Sequence, residues 1–168
     1  MRVNLRVLRA LLVAVAALAS AGVVQALCLG PLCSCSASTA PVTFGAVNPL
    51  AAGPSDSTGQ VRVSCGGVAG LLIPYRIALS GGGGPSIGAR RLTSGANSLA
   101  YGLFADPARL VTWGDASGGT VVSGSILLDV LGLSPTVTHT VYGRIPAGQN
   151  SAIPGSYVDT ITVTVTYD

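Results

Sequence analysis

Four cysteines hold the sulfur chemistry open to this chain. Cys28, Cys33 and Cys35 sit together in "CLGPLCSC", and Cys65 follows in "GQVRVSC". Oxidised, they make two disulfides; as thiolates, all four would be needed to hold zinc, because the only His lies far away at 139. The spacing in "CLGPLCSC" is too compact to give a connectivity, but an even number of cysteines in an exported chain points to disulfides. The other reactive side chains point away from catalysis. His139 stands alone within an alternating strand pattern, where it reads as structural rather than as a general base. The chain has no Glu, so paired-carboxylate chemistry would rest on its six Asp. "GGGGPSIGAR" (81–90) lacks the Lys-Ser/Thr of a phosphate loop and reads as a hairpin connection. No G-x-S-x-G elbow joins a strand to a helix. Trp113 in "TWGD" reads as a ring capping a core, and Asp159 as a carboxylate that fixes a turn through backbone hydrogen bonds. The expectation is a protein that is not an enzyme, with no catalytic, cofactor-binding or metal site and no small-molecule substrate.

The disulfide reading rests on export, and the N-terminus supplies it. Arg2, Arg6 and Arg9 precede the uncharged run "ALLVAVAALASAGVV" (Ala10 to Val24), and "VQA" offers small residues for cleavage after Ala26. Residues 1–26 therefore read as a secretory signal peptide. Fifteen residues are too few for a comfortable membrane span, which needs about 20. Removing them takes three of the nine Arg and leaves 142 residues with six Arg against six Asp. A net charge near zero gives no electrostatic footprint for nucleic acid or an anionic membrane. One domain with a real core fits in that length.

Alternation with a period of two dictates the elements that must position these residues. "APVTFGAV" (40–47) is a weak first strand. In "GQVRVSC", Val61, Val63 and Cys65 face one way and Arg62 and Ser64 the other, so the Cys65 sulfur points into the core; Cys35 is the nearest upstream candidate that leads into "PVTFG". "LLIPYRIALS" puts Ile73, Tyr75, Ile77 and Leu79 on one face, with Pro74 marking an edge or a bulge. "ARRLTSG" is a short edge strand with Arg90 and Arg91 as solvated charges. "SLAYGLFAD" aligns Leu99, Tyr101 and Leu103, and "TVTHTVYGRI" aligns Val137, His139, Val141 and Ile145. "GSYVDTITVTVTYD" (155–168) is the cleanest strand, with Tyr157, Asp159, Ile161, Val163, Val165 and Tyr167 on one face and four Thr on the other. Seven or eight short strands separated by Gly/Pro/Asn turns, with no amphipathic helix, predict an all-β antiparallel sandwich. An apolar last strand of this kind needs a neighbour on its outer edge, because an uncovered edge invites aggregation.

The blocks "CSASTAPVTFGAVNPL", "STGQVRVSC", "YRIALS", "LAYGLFADPARLVTWGD", "VYGRIPAGQ" and "GSYVDTITVTVTY" resemble, in order, those of the spore coat protein U domain family, over about residues 35–168. That family includes subunits of archaic (Csu-type) chaperone–usher pili. The resemblance implies an immunoglobulin-like sandwich that is incomplete and is completed by a donated strand. It implies a Cys35–Cys65 disulfide, which leaves Cys28–Cys33 as the second pair. It divides the chain into the signal peptide (1–26), a short Cys-containing segment (27–34) and the sandwich domain (35–168). The implied partners are a periplasmic pilus chaperone, an outer-membrane usher and other pilus subunits, with export through the inner membrane to the periplasm and then the cell surface. Ile161, Val163, Val165 and Tyr167 are the expected strand-acceptor groove. "LCLGPLCS" (27–34) is a poor donor strand, because Pro removes a ladder hydrogen bond and a Cys28–Cys33 bond would bend it. A self-contained secreted module that binds carbohydrate or a surface is the alternative function.

Overall fold

The computed structural model describes residues 33–68, 70–128 and 135–167. The signal peptide, Cys28 and most of the segment 27–34 lie outside the described residues. Eight strands and one 3-10 turn occur among those described: β1 (Cys33–Ala40), β2 (Ser55–Gly67), β3 (Leu72–Leu79), η1 (Ile87–Ala89), β4 (Arg90–Ser94), β5 (Asn97–Phe104), β6 (Val122–Leu127), β7 (Thr136–Ile145) and β8 (Val163–Tyr167). They form two antiparallel sheets, ordered β1-β2-β7-β5-β4 and β6-β3-β8. β5 changes neighbour along its length, pairing β4 through Asn97–Tyr101 and β7 through Gly102–Phe104. The expected all-β sandwich is therefore present, and its chain path is immunoglobulin-like: β1, β2 and β7 share one sheet while β3 and β8 share the other.

The core lies between the sheets and is built by the alternation. Val61, Val63 and Cys65 from β2 meet Ile73, Tyr75, Ile77 and Leu79 from β3, with Leu99, Tyr101, Leu103, Val141 and Ile145 completing the layer. Cys35 on β1 stands opposite Cys65 in the β1–β2 register and is bonded to it, with an S–S distance of 2.06 Å. This bond closes a 30-residue separation and staples the edge strand to the core. By loop-closure entropy it contributes on the order of 3 kcal/mol. Reduction should lower the denaturant midpoint accordingly, and peptide mapping without reductant should recover a Cys35–Cys65 link. Free thiols at both positions, or a Cys28–Cys65 link, would overturn the assignment. Cys33 is disulfide-bonded; its expected partner, Cys28, lies outside the described residues.

Three local expectations need correction. The first strand is "CSCSASTA" rather than "APVTFGAV". Its register to β2 runs from Cys33↔Gly67 to Ala40↔Gln60. After Ala40 the chain leaves the ladder at Pro41 and turns at Gly45, whose φ of +67° suits glycine. β3 is the central strand of its sheet, and the expected edge at Pro74 is local: among the described residues only β6 pairs it, since the pairs with β8 run from Leu79↔Val163 to Tyr75↔Tyr167. The last strand is shorter than its alternation suggests, spanning Val163–Tyr167. Residues before it cross from one sheet to the other, and a crossing segment has no single neighbour to pair with. Finally, Arg90 is not solvated but fully buried, at 0% exposure. Its guanidinium donates to the carbonyls of Ser80 (2.8 Å), Trp113 (2.9 Å) and Leu79 (3.2 Å). Burial pushes its pKa down, while Tyr101, Asp159 and Asp115 act to hold it up. Arg91, its neighbour on the other face, is exposed as expected.

Candidate strand-acceptor groove

The residues with chemical potential are structural. The His139 ring meets the Tyr75 hydroxyl through Nε2 at 2.8 Å, joining the two sheets, and burial lowers its pKa. The Trp113 indole donates to the Ile77 carbonyl at 2.9 Å and is buried. Ser86 does lie within a G-x-S-x-G stretch, "GPSIG", but this stretch runs from a loop into the three-residue turn η1 rather than from a strand into a helix. His139 points instead to Tyr75 in the core, so no general base serves Ser86. Among the described residues, no group of three or more His, Cys, Asp or Glu could hold a metal ion.

What the fold does build is an opening between the sheets. β8 pairs with β3 through Val163↔Leu79, Val165↔Ile77 and Tyr167↔Tyr75. No strand pairs its other edge among the described residues. The inward side chains of β8 show the consequence. Their partners on β3 are sealed, with Ile77 at 0% and Leu79 at 1% exposure, whereas Val163, Val165 and Tyr167 remain only half-buried. Covering one such side chain fully is worth roughly 1.5–3 kcal/mol, so this row of apolar surface is unsatisfied.

The opposite wall comes from the chain just after β1. Val42 and Phe44 alternate inward and are half-buried against the core. Phe44 packs edge-on to Tyr101, with ring centroids 6.4 Å apart. Gly143 on β7 makes this close approach possible: a Cβ there would meet Val42 at 2.5 Å and Phe44 at 2.9 Å. Between the walls lies a cavity of about 290 Å³, floored by Val61, Leu79, Leu103 and Val141. It shares the lining residues Pro41, Val42, Phe44, Leu92 and Asp159 with a wider channel of about 1100 Å³ between residues 41–50 and 152–159. Leu50 (69% exposed) and Val158 (66% exposed) stand on the rim of that channel. Asp159 is the one charged residue in either lining. A long apolar channel beside a strand with an open edge has the chemistry to take an extended peptide: backbone groups for a ladder, and pockets for alternate side chains.

Of the expected groove residues, Ile161 and Val163 line the cavity. Val165 and Tyr167 continue the same face farther along β8, packed against the core beyond the cavity. Sequence reasoning missed the facing wall. The alternation of "PVTF" signalled its inward side chains, but that alternation looks the same whether a segment joins a sheet or borders a gap.

Comparison with known proteins identifies relatives of this chain. "Protein U" of Myxococcus xanthus is 37% identical over 119 residues, covering 66% of this chain and 59% of its own length. This chain thus matches well under two thirds of that relative. A solved chain in the CsuC–CsuE chaperone–tip adhesion subunit pre-assembly complex, from the archaic chaperone–usher Csu pili of Acinetobacter baumannii, is similar at 22% identity. Its TM-score is 0.49, and the match covers 80% of this chain and 39% of that one. A model of the Spore Coat Protein U domain matches residues 20–164, and with most of its length so matched the chain belongs to the Spore Coat Protein U domain family.

Proposed function

We propose that this protein is a secreted structural or adhesive subunit of a surface fibre or coat, assembled by accepting a strand from another protein. The observation that carries the reading is the half-buried row Ile161, Val163, Val165 and Tyr167 beside an open edge, above a floor that is the domain's own core. Membership of the Spore Coat Protein U domain family supports it. On this reading residues 1–26 direct export and are removed. A periplasmic chaperone covers the groove, and an outer-membrane usher exchanges that strand for one from a neighbouring subunit. Residues 27–34 form a short leader to the domain.

The test compares residues 27–168 with and without a designed strand of alternating Val and Thr, fused after Asp168 through a flexible Gly/Ser linker. The fused form is expected to be soluble and monomeric, with amides of residues 157–167 protected from exchange. The unfused form is expected to be soluble only when a cognate chaperone is co-expressed. A stable unfused monomer with the same protection, and no gain from fusion, would overturn the proposal in favour of a self-contained binding module.

A further inference from the structure

The last-strand wall of the groove is held in an unusual way. Val158 is tied to β4: its N–H donates to the Thr93 carbonyl at 3.0 Å and its carbonyl accepts from the Thr93 N–H at 2.8 Å. Thr162 is tied to the end of β3: its carbonyl accepts from the Ser80 N–H at 3.0 Å, and its N–H donates to Ser80 Oγ at 2.9 Å. Residues 159–161 span the gap between the sheets outside any strand. An apolar side chain in such a span, here Ile161, has an incentive to fall inward. The floor beneath it is Val61, Leu79 and Leu103, and collapse would bury apolar surface without any partner.

One side chain opposes that collapse. The Asp159 carboxylate accepts three hydrogen bonds: from the Gly83 N–H at 2.8 Å, the Tyr101 hydroxyl at 2.6 Å and the Thr160 N–H at 2.8 Å. Two of those donors lie on other parts of the fold, the loop after β3 and the strand β5. The fit is close on the loop side, since a Cβ on Gly82 would collide with the carboxylate, and Gly82 has a φ of +62°. Ser80 extends the tie, because its Oγ also accepts the Gly82 N–H at 3.3 Å. Burial, reinforced by the bond to Asp159, raises the Tyr101 pKa, so its hydroxyl remains a donor at any ordinary pH.

We propose that Asp159 and Tyr101 are positioning residues for strand acceptance: they latch the crossing segment 159–161 back onto the Gly82–Gly83 loop and β5, and so keep the groove open before a strand arrives. The inference rests on the strand-acceptor reading and adds to it a preorganising device, which raises affinity by removing an ordering cost from binding.

A merely structural role and a latch differ in a thermodynamic cycle. The wild type, Asp159→Ala, Tyr101→Phe and Ile126→Ala are each made with and without the designed Val/Thr strand after Asp168. The unfused forms are purified with the co-expressed chaperone and then released from it. The measurement is the rise in Tm that fusion brings to each background. Ile126 is a buried residue of β6, at the opposite edge of its sheet from β8, and its variant should lower both forms alike and leave the rise unchanged. Asp159→Ala should cut the rise by about half or more, with the unfused form little affected, because collapse compensates it. Tyr101→Phe removes a single hydrogen bond and should act in the same direction with a smaller cut, which covers the case in which Asp159→Ala does not fold. An unchanged rise in the Tyr101 and Asp159 variants, against a clear rise in the wild type, overturns the latch and leaves the strand-acceptor reading standing. No rise in the wild type overturns both.

Discussion

Replacing Arg90 with methionine should destabilise the strand-filled domain by about 4 kcal/mol. Methionine keeps much of the side-chain length, so the loss is one of polar pairing rather than of volume. The Leu79, Ser80 and Trp113 carbonyls would all lose their guanidinium donor in a site closed to water. Each buried carbonyl left without a partner costs roughly 1–3 kcal/mol, so three span about 3–9 kcal/mol, and partial relaxation should keep the sum near the low end of that span. Arg90→Lys should recover only part of the loss, because an ammonium cannot reproduce the planar fork that reaches three carbonyls. Urea unfolding of the fused form measures both. A loss of about 1 kcal/mol or less for Arg90→Met would show that the guanidinium is not what holds these loops together.

Val163→Asp has its largest effect on a different quantity, the affinity for a strand. Val163 stands opposite Leu79 in the β3–β8 pair and lines the cavity, yet is only half-buried while the groove is open. An aspartate there keeps access to water in the open form. Once a strand covers it, a bare carboxylate must be desolvated and the apolar contact is lost. Together these cost on the order of 3 kcal/mol, or roughly 100-fold in affinity. Thr164→Ser, on the exposed face of the same strand, should change affinity less than about 2-fold. Co-expression with a cognate chaperone, followed by quantitative pull-down, reads the pair. Equal capture of the wild type and the Val163→Asp variant would place the bound strand elsewhere.

The sequence by itself determined the class of fold and the inward face of each main strand, the last one included. Those features depend on a period of two, and a period of two is local: Val61, Val63 and Cys65 point together whatever lies across from them. It also placed Trp113 in the core, because a lone large ring in a small apolar chain has few better places. The Asp159 carboxylate was legible as a fastener, but its reach was not. The sequence suggested a turn within its own neighbourhood, whereas two of its three donors come from Gly83 and Tyr101, 76 and 58 residues away.

Only the tertiary structure decided the rest, and in each case the reason is that burial and pairing are properties of two surfaces. Arg90 reads as a solvated edge charge in "ARRLTSG", and becomes a buried core residue because three carbonyls, two from the end of β3 and the residue after it and one from Trp113, converge on it. "PVTFG" alternates like a strand, and becomes a groove wall because no ladder partner meets it and Gly143 leaves room for Val42 and Phe44. "YVDTITVTVTY" alternates throughout, yet only Val163–Tyr167 is a strand, because the residues before it must leave one sheet for the other. Alternation tells which side of a segment is apolar. Whether that side is covered, and by what, depends on the packing of segments far apart in the chain, and the half-covered row along β8 is where that packing stops short.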